Sequence, residues 1–90
     1  LFALPETDRH QVLEALFGSS GCGFSFCRLP IGASDFALSW YSLCDTPEDY
    51  DLKSFTVARD RELLLPYVHA AREIRPDLKV FASPWSPPEW

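Results

Sequence analysis

Two strand-like runs constrain this chain more than any other feature: Phe24 to Phe36, and Lys79 to Trp90. Each begins as a short apolar stretch and passes into residues that can do chemistry, Arg28 and Asp35 in the first, Trp85 and Glu89 in the second. Between them lie a long irregular segment and a helical pattern, so the two strands are expected to run parallel, as neighbours joined by a right-handed crossover. A parallel (β/α) barrel builds its site from the carboxyl ends of strands and the loops after them. Strands that finish in Arg, Asp or Trp suit that architecture.

Residues 6 to 17 read as a helix burying Val12, Leu13, Leu16 and Phe17, with Thr7 or Asp8 as its cap and Gly18 as a left-handed terminator. Phe24 to Ile31 reads as a strand apolar on both faces, the pattern of a sheet covered on each side. Gly32 to Phe55 has no period, yet its aromatics, Phe36, Trp40, Tyr41, Tyr50 and Phe55, argue against disorder. Asp45, Glu48, Asp49 and Asp51 surround Pro47 without the spacing of a calcium loop and read as a solvated acidic turn. A second helix is expected over Ala58 to Arg75, burying Leu63, Leu64, Tyr67, Val68, Ala71 and Ile74. Pro66 removes a backbone donor inside it, which predicts a bend near Glu62. Arg75-Pro76 ends that helix, and Lys79 to Ser83 forms the second strand.

The composition excludes several classes of function. A formal net charge of −5 offers no basic surface for nucleic acid, and no apolar run is long enough to span a bilayer. Neutral sugars or lipid-linked sugars remain compatible partners. Cys22, Cys27 and Cys44 match neither a CxxC nor a zinc pattern and read as buried thiols that leave the compartment open. His10 and His69 fall on the two helices, away from the strand ends, and the Gly18 to Gly23 cluster precedes a strand instead of linking strand to helix. No cofactor or metal is implied.

Three side chains carry the site hypothesis. Arg28, near the end of a strand expected to be buried, calls for a carboxylate partner, either in a structural ion pair or in an active site. Asp35 follows the strand closely enough to reach a cleft, although capping a turn through Ser34 to Phe36 is the commoner role for such an Asp. Trp85 can lay its indole on the apolar face of a sugar ring or serve as an ordinary core residue.

The stretches Arg28-Leu29-Pro30, Ala33-Ser34-Asp35-Phe36 and Ala82-Ser83-Pro84-Trp85, with Trp40-Tyr41 and Asp45-Thr46-Pro47 between them, resemble glycoside hydrolase family 30, the glucosylceramidase-type enzymes, from about Leu13 to Trp90. The resemblance implies an α/β fold, a partial (β/α)8 TIM barrel comprising a helix-strand-loop-helix-strand segment around barrel strands 2 and 3. A whole barrel takes roughly 250 residues. Residues 1 to 90 are therefore expected to be a fragment of the catalytic barrel, lacking its first strand and strands 4 to 8. That expectation also rests on the start at Leu1 and the end in a Pro-rich loop.

By the same resemblance, Arg28 supports a nucleophilic Glu, Asp35 and Trp85 bind the sugar, and Phe36 and Trp90 give the loops support. The acid/base Glu of an Asn-Glu-Pro motif and the nucleophilic Glu lie beyond Trp90, since this chain contains no Asn. Cys44 departs from the family pattern, where Asn or Ala stands, and Glu89 replaces a common Thr. The implied activity is retaining cleavage of β-glycosides, glucosylceramidase-like first. A β-1,6-glucanase or β-xylosidase of the same family is the alternative, and a non-catalytic carbohydrate-binding module using Trp40, Trp85 and Trp90 is the rival from another class. The implied partners are a carbohydrate or glycolipid, the rest of the barrel and an accompanying β domain, in a secreted, periplasmic or lysosomal-type setting.

Overall fold

The computed structural model describes residues 1–90. Its element order is α1 (Glu6–Phe17), β1 (Phe26–Ile31), α2 (Ala58–Glu62), α3 (Leu64–Ile74) and β2 (Lys79–Pro84). β1 and β2 form a two-stranded parallel sheet in register from Phe26 opposite Lys79 to Ile31 opposite Pro84. The expected parallel adjacency is observed. The ladder extends past the regular strands at both ends, where Lys79 N–H donates to the Ser25 carbonyl at 3.0 Å and Trp85 N–H to that of Ile31 at 3.0 Å.

Alternation divides the sheet into two unlike faces. One face carries Cys27 and Val80, which pack on a core of Leu13, Phe17, Ala71 and Leu78, with Leu16, Tyr67, Ala70 and Ile74 around it. Phe17 and Tyr67 meet edge to face with centroids 6.2 Å apart, joining α1 to α3. The other face presents Phe26, Arg28 and Phe81 to solvent. Phe26 and Phe81 lie across the two strands with centroids 5.2 Å apart and remain 61% and 44% exposed, so their pairing covers only part of each ring. The expectation that both faces of β1 would be buried is therefore met only in part, on the helix side, where Cys27, Leu29 and Ile31 are half-buried.

Several local expectations need correction. Helix α1 starts on Pro5, whose carbonyl accepts the Arg9 N–H at 2.9 Å, and neither Thr7 nor Asp8 caps it. Glu6 and Asp8 instead place negative charge in its first turn, where the unpaired amides favour it. Gly18 is extended, at φ −66° and ψ 154°, and ends the helix by donating its N–H to Glu14 at 2.8 Å. Val12 is 40% exposed, since α1 turns only the Leu13 and Phe17 side of its surface to the core. The regular strand begins at Phe26 because the Phe24 N–H is held by Leu16 at 3.0 Å, tying that residue to α1.

Pro66 does more than bend the second helix. Without its N–H the carbonyl of Glu62 has no donor four residues on, and the helix breaks at Leu63, with φ −129° and ψ −55°. Leu63, expected in the core, sits at this joint and is 56% exposed. The segment between β1 and α2 is irregular, but its carboxylates hold it together. Asp45 accepts from the amide of Ser42 at 3.0 Å and from its hydroxyl. Asp49 accepts the amides of Lys53 at 3.0 Å and Ser54 at 2.7 Å, and the Ser54 amide is the main cause that lowers its pKa. The acidic turn is thus a set of internal caps and not merely a solvated surface.

Candidate active site

Arg28 and Trp85 meet on the open face of the sheet. Arg28 pairs in register with Phe81, three residues short of the end of β1, while Trp85 follows β2 directly. The length of the arginine side chain closes the gap: its Cζ lies 5.4 Å from the centroid of the indole. Arg28 is exposed and makes no ion pair within the chain. The carboxylate expected beside it is not supplied by these residues.

Asp35 lies four positions beyond β1, in a turn closed by its neighbour. The hydroxyl of Ser34 accepts the Phe36 N–H at 3.3 Å, and the Ser34 carbonyl accepts that of Ala37 at 3.0 Å. The capping role open to Asp35 in the sequence therefore belongs to Ser34. Asp35 is exposed and its carboxylate has no hydrogen-bond or ionic partner. Phe36 beside it is 91% exposed. Trp90 lies elsewhere, donating its indole N–H to the Cys44 carbonyl at 3.0 Å and packing edge to face on Tyr50 with centroids 5.1 Å apart. Arg28 and Trp85 are thus in direct contact, Asp35 and Phe36 occupy the adjoining loop, and Trp90 ties the chain end to the long connection.

The backbone leading to Asp35 is fixed by groups that sequence reasoning missed. Gly32 has φ +77°, and a Cβ there would lie 2.7 Å from the carbonyl oxygen of Ser86. Ala33 donates its N–H to the Tyr41 carbonyl at 2.9 Å and accepts the Ser86 hydroxyl at 2.6 Å. Tyr41 in turn donates its hydroxyl to the buried Asp60 at 2.7 Å. The Arg59 guanidinium covers the Tyr41 ring, 4.3 Å from its centroid, and reaches Ser39 at 2.9 Å. Burial, then the bond to Asp60 and its charge, push the Tyr41 phenol up to about 12 against an opposing effect of Arg59. Only Gly32, directly after a strand, carried a sequence signal; the other pairs are too far apart in the chain to be read from it.

A cleft of about 360 Å³ opens between this loop and α2, lined in part by Pro30, Phe36, Tyr41, Arg59, Asp60 and Leu64. Neither Asp35 nor Trp85 lines it, so the cleft lies beside the proposed sugar-contacting groups and not between them. Of the three thiols expected to be buried, Cys44 is buried, Cys27 half-buried and Cys22 exposed in the turn after α1. The Cys44 thiol is directed to Asp49 at 3.4 Å, and burial first, then that carboxylate, raises its pKa.

The chain as a whole is similar to several known proteins. The family model for the glycosyl hydrolase family 30 TIM-barrel domain matches residues 1–90. The lysosomal acid glucosylceramidase of Mus musculus is 32% identical over 93 residues, covering 100% of this chain and 18% of that protein. The endo-1,6-beta-D-glucanase of Neurospora crassa is 31% identical over 91 residues, covering 98% of this chain and 19% of that protein. Among solved structures, the endo-beta1,6-glucanase BT3312 superposes with a TM-score of 0.88 at 36% identity, covering 99% of this chain and 19% of that one. The chain thus spans less than a fifth of the length of these relatives. Its parallel strands, its crossover helices and these likenesses together place it in glycosyl hydrolase family 30, as part of that family's TIM-barrel domain.

Proposed function

We propose that the protein containing this chain is a retaining β-glycosidase of the glucosylceramidase type, in which residues 1–90 form barrel strands 2 and 3 and one wall of the sugar site. The observation that carries this reading is the contact between Arg28 and Trp85 at the carboxyl end of parallel strands, with an unpaired Asp35 in the next loop. Barrel strands 1 and 4 to 8, and both catalytic Glu residues, belong to the rest of the protein.

In such an enzyme one carboxylate attacks the anomeric carbon while a carboxylic acid protonates the departing glycosidic oxygen. Water, deprotonated by that same group, then displaces the enzyme carboxylate and releases the sugar with its configuration retained. Within this scheme Trp85 supplies an apolar platform for a pyranose and Asp35 accepts two sugar hydroxyls. Arg28, lacking a carboxylate of its own here, would hold the incoming nucleophile ionised and oriented.

The test is turnover by the full-length protein. An aryl β-glucoside and glucosylceramide should be hydrolysed, with β-glucose as the first product by NMR. First release of α-glucose, or no turnover of any β-glucoside, would overturn the proposal. A second reading, a β-1,6-glucanase, is favoured by the 36% identity and TM-score of 0.88 to a glucanase structure. Faster cleavage of β-1,6-glucan than of glucosylceramide would select it.

A further inference from the structure

Asp35 has no side-chain partner, so its position is set entirely by the backbone that carries it. That backbone is held two residues upstream, at Ala33, which is 7% exposed. The residue immediately after Trp85 does part of the holding: the Ser86 hydroxyl donates to the Ala33 carbonyl at 2.6 Å, across 53 positions of sequence. The Ser86 amide also approaches the carbonyl of Ile31 at 3.4 Å, beside the 3.0 Å bond from the Trp85 amide. On the far side Ala33 is fixed by Tyr41, itself bonded to Asp60. The Gly32 turn brings the two loops close enough that no side chain fits between them.

We propose that Ser86 is a positioning residue that fixes Asp35 relative to Trp85, and so sets the fit of a terminal β-glucosyl unit held by both. This rests on the reading of Asp35 and Trp85 as sugar-binding groups. A pyranose can stack on an indole and give hydroxyls to a carboxylate at once only if the two are correctly spaced, since small misplacements are costly in a preorganised site. Trp85 directly follows β2, and Asp35 lies on the loop after β1. The Ser86 hydroxyl joins these two carriers beside Asp35, whereas the other side-chain bond between the two segments, from the Trp90 indole to the Cys44 carbonyl, lies farther along both.

The full-length enzyme provides the test, with an aryl β-glucoside as probe and thermal unfolding measured in parallel. Ser86→Ala should raise KM about five- to tenfold, as loss of one hydrogen bond predicts, with kcat changed less than twofold. Ser86→Thr should restore KM, because it keeps the hydroxyl. In an Asp35→Ala background, Ser86→Ala should add no further effect, which a general loss of stability could not produce. If Ser86→Ala fails to fold, Ser86→Cys, a weaker donor of similar size, carries the same expectations. An unchanged KM for Ser86→Ala, or a full extra effect in the Asp35→Ala background, would overturn the proposal while leaving the sugar site standing. Unchanged KM for Asp35→Ala and Trp85→Ala would overturn the sugar site, and the role of Ser86 with it.

Discussion

The guanidinium of Arg28 stands 5.4 Å from the centroid of the Trp85 indole, on the face of the sheet that the helices do not cover. A cation over an aromatic ring contributes about 0.5 to 1 kcal/mol at an exposed site, enough to bias how the indole lies. Trp85 is still 43% exposed, so ring surface remains for a second molecule.

In the full-length enzyme, Trp85→Ala should lower kcat/KM by about 5- to 30-fold, corresponding to the loss of roughly 1 to 2 kcal/mol of stacking and buried area. Asp35→Ala should cost more, because sugar hydroxyls lose a charged acceptor worth about 1.5 to 3 kcal/mol. Steady-state kinetics on an aryl β-glucoside measure both, and equal rates for the two variants and wild type would make these residues structural.

Gly32→Ala should destabilise the protein by at least about 2 kcal/mol. The left-handed backbone alone disfavours a Cβ by roughly 1 to 2 kcal/mol, and the new atom would press on the Ser86 carbonyl. A melting temperature within a degree of wild type would contradict the close approach of the two loops.

The bond between Tyr41 and Asp60 has a pH signature. The phenol is held up to about 12 in the fold, above its ordinary value of 10, so the folded state keeps its proton where the unfolded chain loses it. Its contribution is therefore complete below pH 10 and disappears as pH rises towards 12. The stability difference between wild type and Tyr41→Phe should shrink over that range, as measured by chemical unfolding at successive pH values. A difference that grows with pH would show that the hydroxyl is not donating to Asp60.

Residues 1 to 90 expressed alone should aggregate or melt without cooperativity, and should lack glycosidase activity. Ten of the 90 residues are buried, and Phe26, Phe81 and Trp85 stay open on one sheet face. Uncovered apolar surface forfeits roughly 25 cal/mol per Å², against a net stability of about 5 to 15 kcal/mol for a whole domain. A sharp, reversible melt of a soluble monomer would refute this.

Periodicity and the restrictions of proline were legible along the chain. They located α1 and both strands, predicted the parallel pairing and flagged a bend from Pro66, which the structure turns into a full break at Leu63. Trp85 was likewise visible as a residue at a strand end, whereas Arg28 lies within its strand and reaches that end only by the length of its side chain. The partners that decide geometry were not. Ser34 displaced Asp35 as the turn cap because two side chains at adjacent positions can serve the same amide. Tyr41 and Asp60 are 19 residues apart and Ser86 and Ala33 are 53 apart, distances across which no local pattern extends. Val12 and Leu63 were assigned to the core by helical spacing, which does not say how wide a helix face its neighbour covers.

The interruption at Leu63 separates two mechanical duties that a continuous helix would join. α3 is committed to the core through Tyr67 and Ala71, whereas α2 is tied by Arg59 and Asp60 to the loop leading from Asp35. With a joint between them, changes of length or sequence in that loop can reorient the five residues of α2 without shifting the packing of α3. The loop-bearing edge of the scaffold can thereby change shape while the interior packed on α3 stays the same.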